Sequence, residues 1–243
     1  MMRLHVLPSA FGLRNPGPFA FKCELSLLHL KLDFELVDSP DPRTGPKGKM
    51  PYLDDGGTIV ADSELILEYI DQKTDGGLYG HLSDSEWAEG VAFTRLAEEH
   101  LYWLMVASRW LDDSWFPNIK TGFFGAMPFP VRQIAPVMAQ REVRKTYHLQ
   151  GLGRHTHEEQ LGFARRDLDA IAKKVGHGPF LFGDKLTVFD FGVASLVAGA
   201  VDNEPATWMS DLVREFQPVV DYAERVQGTV GAWCRMSVPS AAG

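Results

Sequence analysis

Cysteine is scarce in this 243-residue chain. The two present, Cys23 and Cys234, form no C-x-x-C pair, which argues against a secreted disulfide framework. Basic residues are also in short supply: 24 Lys and Arg face 32 Asp and Glu, a net charge of −8. That balance speaks against a nucleic-acid backbone or an anionic membrane as the main partner. No apolar run spans a bilayer. The longest, Leu186 to Val201, carries Asp190 and reads as a buried core helix. The opening Met1 to Pro8 is too short to be a signal peptide. Repeats, low-complexity tracts, a phosphate-cradling glycine loop, a paired-carboxylate or Ser-His-Asp arrangement and a His-Glu-x-x-His motif are all missing. The expectation is a soluble cytoplasmic protein with no membrane span. His148, His155 and His157 lie close in sequence, but no cysteine or carboxylate stands at ligand spacing, so no metal is expected.

What is present is organised in two parts. Leu4 and Val6 alternate with polar neighbours as in a strand, and Pro8–Pro18 is a Gly/Pro-rich loop. Phe19, Cys23, Leu27 and Leu30 recur at helical spacing; Phe34, Leu36 and Val37 suggest a second strand. Tyr52-Leu53 and Thr58-Ile59-Val60, joined through Asp54-Asp55-Gly56-Gly57, read as a hairpin, and Ser63 to Lys73 as a helix. This order, with a proline entering the hairpin, predicts an α/β thioredoxin-like domain over residues 1–75. A plausible linker follows, and after it strand signals nearly vanish. Ser83-Asp84-Ser85-Glu86 caps a long helix towards Asp112, and Ser114–Pro130 reads as an irregular loop. Pro130 can start a further helix, broken or bent near Pro136. Thr156-His157-Glu158-Glu159 and Thr187-Val188-Phe189-Asp190 cap two more helices. Residues 83–243 are predicted to be all-helical. The basic stretch Arg132, Arg141, Arg144, Lys145 and Arg154 reads as a solvated helix face.

The most informative segment is Lys47-Gly48-Lys49-Met50-Pro51-Tyr52, followed by Ala61-Asp62-Ser63. Proline cannot donate to a strand ladder, so a Met-Pro inside an apolar strand makes sense if the bond is cis and the Met50 backbone faces a ligand. The Asp-Ser pair aims a hydroxyl, backbone N–H groups and a positive helix end at one point. Together these features suit a zwitterionic amino-acid head with a peptide attached. As an ordinary helix cap Ser63 needs no ligand; the nearby Met50-Pro51 tips the reading towards binding.

The segment resembles the glutathione transferase superfamily, and within it the branch of failed-axon-connections and metaxin-like proteins. Pro46–Tyr52 and Ala61–Ser63 carry the resemblance in the first part; Gly151–Thr156 and Phe180–Thr187 carry it in the second. It implies a thioredoxin-like domain with a mixed four-stranded sheet, a helical bundle, and usually a homodimer. It also implies that Met50 and Pro51 hold the cysteinyl backbone of glutathione and that Ser63 takes the γ-glutamyl carboxylate. Asp62 would stand near the ammonium, and Lys49 or Lys47 would meet the glycyl carboxylate. Glutathione is then a cosubstrate.

In this superfamily the thiolate donor sits at the end of the first strand or the start of the first helix. Here the helix start reads Asn15-Pro16-Gly17-Pro18-Phe19, with Gly17 where a Ser or Cys is usual. Ser9, Asn15 through its amide, and backbone N–H groups near Phe19 are the remaining candidates. Cys23 reads as a buried structural thiol. The aromatic set Tyr102, Trp103, Trp110, Trp115, Phe116, Phe123 and Phe124 falls where the resembled fold builds its acceptor pocket, with Trp103 and Phe116 the expected lining. The resulting expectation is an enzyme that adds glutathione to a hydrophobic small-molecule electrophile. The alternatives are a non-catalytic binding protein on the same fold, favoured by Gly17, and a thiol-disulfide oxidoreductase, disfavoured by the lack of a cysteine at the helix start.

Overall fold

The computed structural model describes residues 1–237. Its first part is a four-stranded sheet in the order β2-β1-β3-β4. Strand β1 (Met2–Val6) pairs in parallel with β2 (Phe34–Asp38) and antiparallel with β3 (Tyr52–Asp55), and β3 pairs antiparallel with β4 (Thr58–Ala61). The period of two puts Met2, Leu4 and Val6 on the buried face. Leu4 lies opposite Leu36 on one side and Leu53 on the other. Helix α1 (Pro18–His29) crosses between β1 and β2, and Pro18 at its first position costs no needed donor. Helix α2 is Ser63–Lys73. A parallel β1-α1-β2 unit followed by a hairpin and a helix is the thioredoxin-like arrangement.

The second part is helical. Helix α3 (Asp84–Arg95) continues without a break through a π-helical stretch, Leu96–Leu101, into α4 (Tyr102–Trp110). Ser83 and Glu86 form the reciprocal cap that starts it. Helix α6 (Val131–Gln150) carries the buried Pro136 in its interior. Helices α7 (His157–Val175), α8 (Val188–Val201), α9 (Trp208–Arg214) and α10 (Gln217–Val230) complete it. Every residue of α8 is buried, and it packs against both α1 and α10. Asp190 organises its start. The carboxylate accepts from Thr187 N (2.7 Å), Thr187 Oγ1 (2.8 Å), Leu181 N (2.9 Å) and Tyr222 Oη (2.9 Å). Burial raises its pKa while those donors pull it back down.

Ser114–Pro130 differs from its expected irregular loop: Phe116–Phe124 is helix α5. Pro117 starts it, and Trp115, Phe116 and Ile119 bury themselves around Phe11 from the β1–α1 loop. The Phe11 ring stands where a Cβ on Gly122 would be, 2.5 Å from that position, so glycine is required for the close approach. Packing on a distant ring thus supplies what the Gly-, Pro- and aromatic-rich sequence lacks in helix propensity.

Candidate functional site

The β1–α1 loop, the Lys47–Pro51 segment and the start of α2 supply the site. The Met50–Pro51 peptide bond is cis. Among the described residues, neither the N–H nor the C=O of Met50 has a hydrogen-bond partner. β3 begins only at Tyr52, so the polar groups of Met50 lie outside the ladder.

At α2 the cap is Asp62, whose carboxylate accepts from Glu64 N at 3.0 Å. Ser63 is therefore the first helical residue, and its hydroxyl has no partner among the described residues. Asp62 holds φ at +101°, a region that side-chain-bearing residues adopt at a cost of about 1–3 kcal/mol and that clusters at ligand sites. Its side chain is exposed. Lys47 and Lys49 are also exposed, and neither joins an ion pair among the described residues.

At the start of α1, Asn15 is buried. Its Oδ1 accepts from Gly17 N at 3.2 Å, and its Nδ2 is buried with no partner among the described residues. The main-chain N–H of Phe19 is also unpartnered, whereas those of Ala20 and Phe21 both reach the Gly17 carbonyl. Ser9 is exposed and makes no hydrogen bond among the described residues. Cys23 is fully buried, its Sγ 3.8 Å from the Ser63 carbonyl oxygen, and burial pushes its pKa up to about 12. A thiol so placed packs and does not react.

A charge cluster buttresses these elements from below. The buried Lys22 of α1 donates to Glu98 Oε1 at 2.6 Å and to Glu64 Oε1 at 3.3 Å, and Arg95 reaches Glu64 at 2.5 Å. Burial acts to lower the Lys22 pKa, but Glu98, Cys23 and Glu64 outweigh it and the net direction is up. The cluster ties the residue after Ser63 to α1 and to the π-helical stretch. From α4, Arg109 reaches back to the β1–α1 loop and α8, donating to Pro16 O at 3.0 Å and Gly199 O at 2.5 Å.

The expected acceptor-pocket residues part company. Phe116 is buried in the cluster of Phe11, Trp115 and Ile119. Trp103 is half-buried and meets Tyr102 edge-on at 5.6 Å. The apolar surface nearest the β1–α1 loop comes from Trp110, Phe123 and Phe124, partly buried beside Ala10. Tyr102 touches the α1 start, its ring 4.8 Å from that of Phe19. The sequence groups these aromatics without sorting the exposed from the packed. Phe11 in the β1–α1 loop and Arg109 behind it are not singled out by the sequence.

A cavity of about 920 Å³ opens elsewhere, between α4, α6 and the start of α9. Arg141, Arg144 and Lys145 of the basic stretch line it, and all five residues of that stretch are exposed, as a solvated face requires. It shares no residue with the Met50–Ser63 group. His157 packs edge-on to Trp208, and His155 faces Glu159 and Phe163. Among the described residues no three His, Cys, Asp or Glu side chains are grouped to hold a metal ion, and no helix is long and apolar enough to cross a membrane.

The family model described as "Glutathione S-transferase N-terminal domain" matches residues 18–115. The chain is 31% identical to an isoprene-epoxide glutathione S-transferase of Rhodococcus sp. (strain AD45), over 93% of this chain and 98% of that protein. It is 25% identical to Failed axon connections of Drosophila melanogaster, over 92% of this chain and 54% of that protein. Human Metaxin-2 is 22% identical over 75% of this chain and 70% of its own length. Among solved structures, a glutathione S-transferase from Methylobacillus flagellatus with GSH bound shares the fold at a TM-score of 0.58 and 15% identity, covering 96% of this chain and all of that one.

Proposed function

This chain belongs to the glutathione S-transferase family, and from that premise we propose that it binds glutathione and adds its thiolate to a small hydrophobic electrophile. The observation that carries the reading is the unpartnered set of Met50 N–H and C=O and the Ser63 hydroxyl, beside the strained Asp62. Polar groups that the fold itself leaves unused are groups for a ligand. The cysteinyl backbone pairs with Met50, the γ-glutamyl carboxylate sits on Ser63 and the helix end, Asp62 meets the ammonium, and Lys49 or Lys47 meets the glycyl carboxylate. The thiol then faces the start of α1, where Ser9, Asn15 and the Phe19 N–H are the available donors. The acceptor lies along Trp110, Phe123 and Phe124, with Phe116 supporting that wall and Trp103 packed apart from it beside Tyr102.

The name of the Rhodococcus relative gives an isoprene epoxide. For this protein a small apolar epoxide is the favoured acceptor class. The thiolate attacks a ring carbon, the C–S bond forms as the strained C–O bond breaks, and the alkoxide takes a proton from solvent. Catalysis comes from proximity and thiolate stabilisation.

A rise in melting temperature with millimolar glutathione is expected, lost in Ser63→Ala, together with turnover of an aryl halide or an epoxide. No shift at saturating glutathione removes the binding claim. Gly17 favours a second reading, a non-catalytic binding protein on this fold, which predicts the thermal shift without turnover.

A further inference from the structure

Arg109 is a cation without an anion among the described residues. It is 5% exposed, its side chain makes no ion pair among the described residues, and its Nε is buried without any partner. Its two hydrogen bonds go to neutral carbonyls, Pro16 O and Gly199 O. Burial pulls its pKa down only to about 10, so the guanidinium stays charged at neutral pH. Arginines buried to this degree are normally paired, because a desolvated charge without a counter-ion costs several kcal/mol. Folding has therefore kept an uncompensated positive charge directly behind the Pro16–Gly17 peptide.

The groups around it offer no neutralisation. Tyr102 and Cys234 are the titratable neighbours, and burial holds both above their ordinary pKa, hence neutral. In the loop, Arg14 is engaged with Glu24 at 2.5 Å. Below the loop, Asp202 is engaged with Arg235 at 3.4 Å.

We propose that Arg109 is the electrostatic positioning residue that replaces the missing side-chain donor at Gly17, lowering the pKa of the bound glutathione thiol through the low-dielectric interior and fixing the Pro16–Gly17 peptide against which the thiol lies. This rests on the reading that glutathione binds with its thiol at the start of α1. The thiol proton leaves to solvent, and the thiolate is held by the field of the guanidinium together with the Phe19 N–H. A unit charge about 10 Å away acting through an effective dielectric of about 20 moves a pKa by about one unit.

The test is a pH titration of the thiolate ultraviolet absorbance of glutathione bound to the native protein and to Arg109→Lys, Arg109→Met and Cys234→Asp. The native protein should hold the thiol below its free value, and Arg109→Lys should keep that value even if the melting temperature falls. In Arg109→Met the bound thiol should rise by about one unit, with turnover near pH 6.5 falling about tenfold. Cys234→Asp supplies a buried counter-charge while leaving the arginine and its two carbonyls in place, so it should raise the thiol pKa in the same direction; it decides the matter if Arg109→Met does not fold. A bound-thiol pKa that is the same with and without the free charge, with glutathione affinity and melting temperature alone altered, overturns the inference and leaves Arg109 as a loop anchor. No glutathione binding by the native protein instead overturns the proposed function, and this inference with it.

Discussion

At Gly17 the main chain has φ −99°, and an added Cβ would meet only Asn15 Oδ1, at 3.7 Å. The position is the N-cap of α1, where serine is as good a residue as any. Gly17→Ser is therefore expected to fold with stability changed by less than about 0.5 kcal/mol, and to raise conjugation of an aryl halide by about tenfold or more by adding a hydroxyl donor. Steady-state rates of the two proteins check this; an equal rate would mean that the acceptor wall, not the thiol, limits turnover. Residues of this kind were legible in the sequence because they act through their own neighbours. Met50-Pro51 and Asp62-Ser63 announce themselves by what proline and a short polar side chain do to local backbone. Arg109 does not. Nothing in Ser108-Arg109-Trp110 says that the guanidinium is buried without a carboxylate, since the loop at Pro16 and the helix at Gly199 arrive from 93 and 90 residues away.

Among the elements, three helices with reciprocal caps were readable, since Ser83/Glu86, Thr156/Glu159 and Thr187/Asp190 satisfy end groups with residues three apart; the Thr207/Ser210 cap of α9 was not read. The hairpin was readable for the same local reason. Helix α5 was not, because its stability comes from Phe11 and not from its own sequence. Phe11 meets Trp115 and Phe123 edge-on at 5.0 and 4.9 Å. Phe11→Ala should cost about 3 kcal/mol by urea unfolding. It should also speed amide hydrogen exchange over residues 116–124 while leaving α8 protected. Equal exchange in the two proteins would mean that α5 stands alone.

For the molecule as a whole, the pH dependence of stability has an identifiable contributor. Glu24 on α1 is 2% exposed, one of its carboxylate oxygens is unpartnered, and burial raises its pKa from 4.5 to about 7 despite the pull of Arg14. Arg14 loses that contest because its side chain is 40% exposed and its charge is shared with water. A folded-state pKa above the unfolded one means that the native protein holds the proton longer. Stability from this group is full below pH about 4.5 and is lost as pH rises to about 7, on the order of 3 kcal/mol in all. Glu24→Gln should flatten that part of the profile, so that the wild-type-minus-variant difference in urea unfolding free energy falls between pH 5 and pH 8. A constant difference would show that Glu24 does not titrate in this window. The two-part division of the chain was visible in sequence, as strand signals ending near residue 75; the Lys22–Glu98–Glu64–Arg95 junction was not, since Lys22 and Glu98 lie 76 positions apart.

The β1–α1 loop is held almost entirely by later parts of the chain. Leu13 bridges Arg235, Arg14 N donates to Cys234 O, Met236 N donates to Gly12 O, Glu204 N donates to Phe11 O, and Arg109 clasps Pro16. The loop therefore takes its shape from residues far along the chain, from Arg109 to Met236. A chain that has emerged only as far as the sheet and its two helices therefore carries Met50 and Ser63 without the contacts that fix this loop, and the loop gains its shape only as those later residues dock.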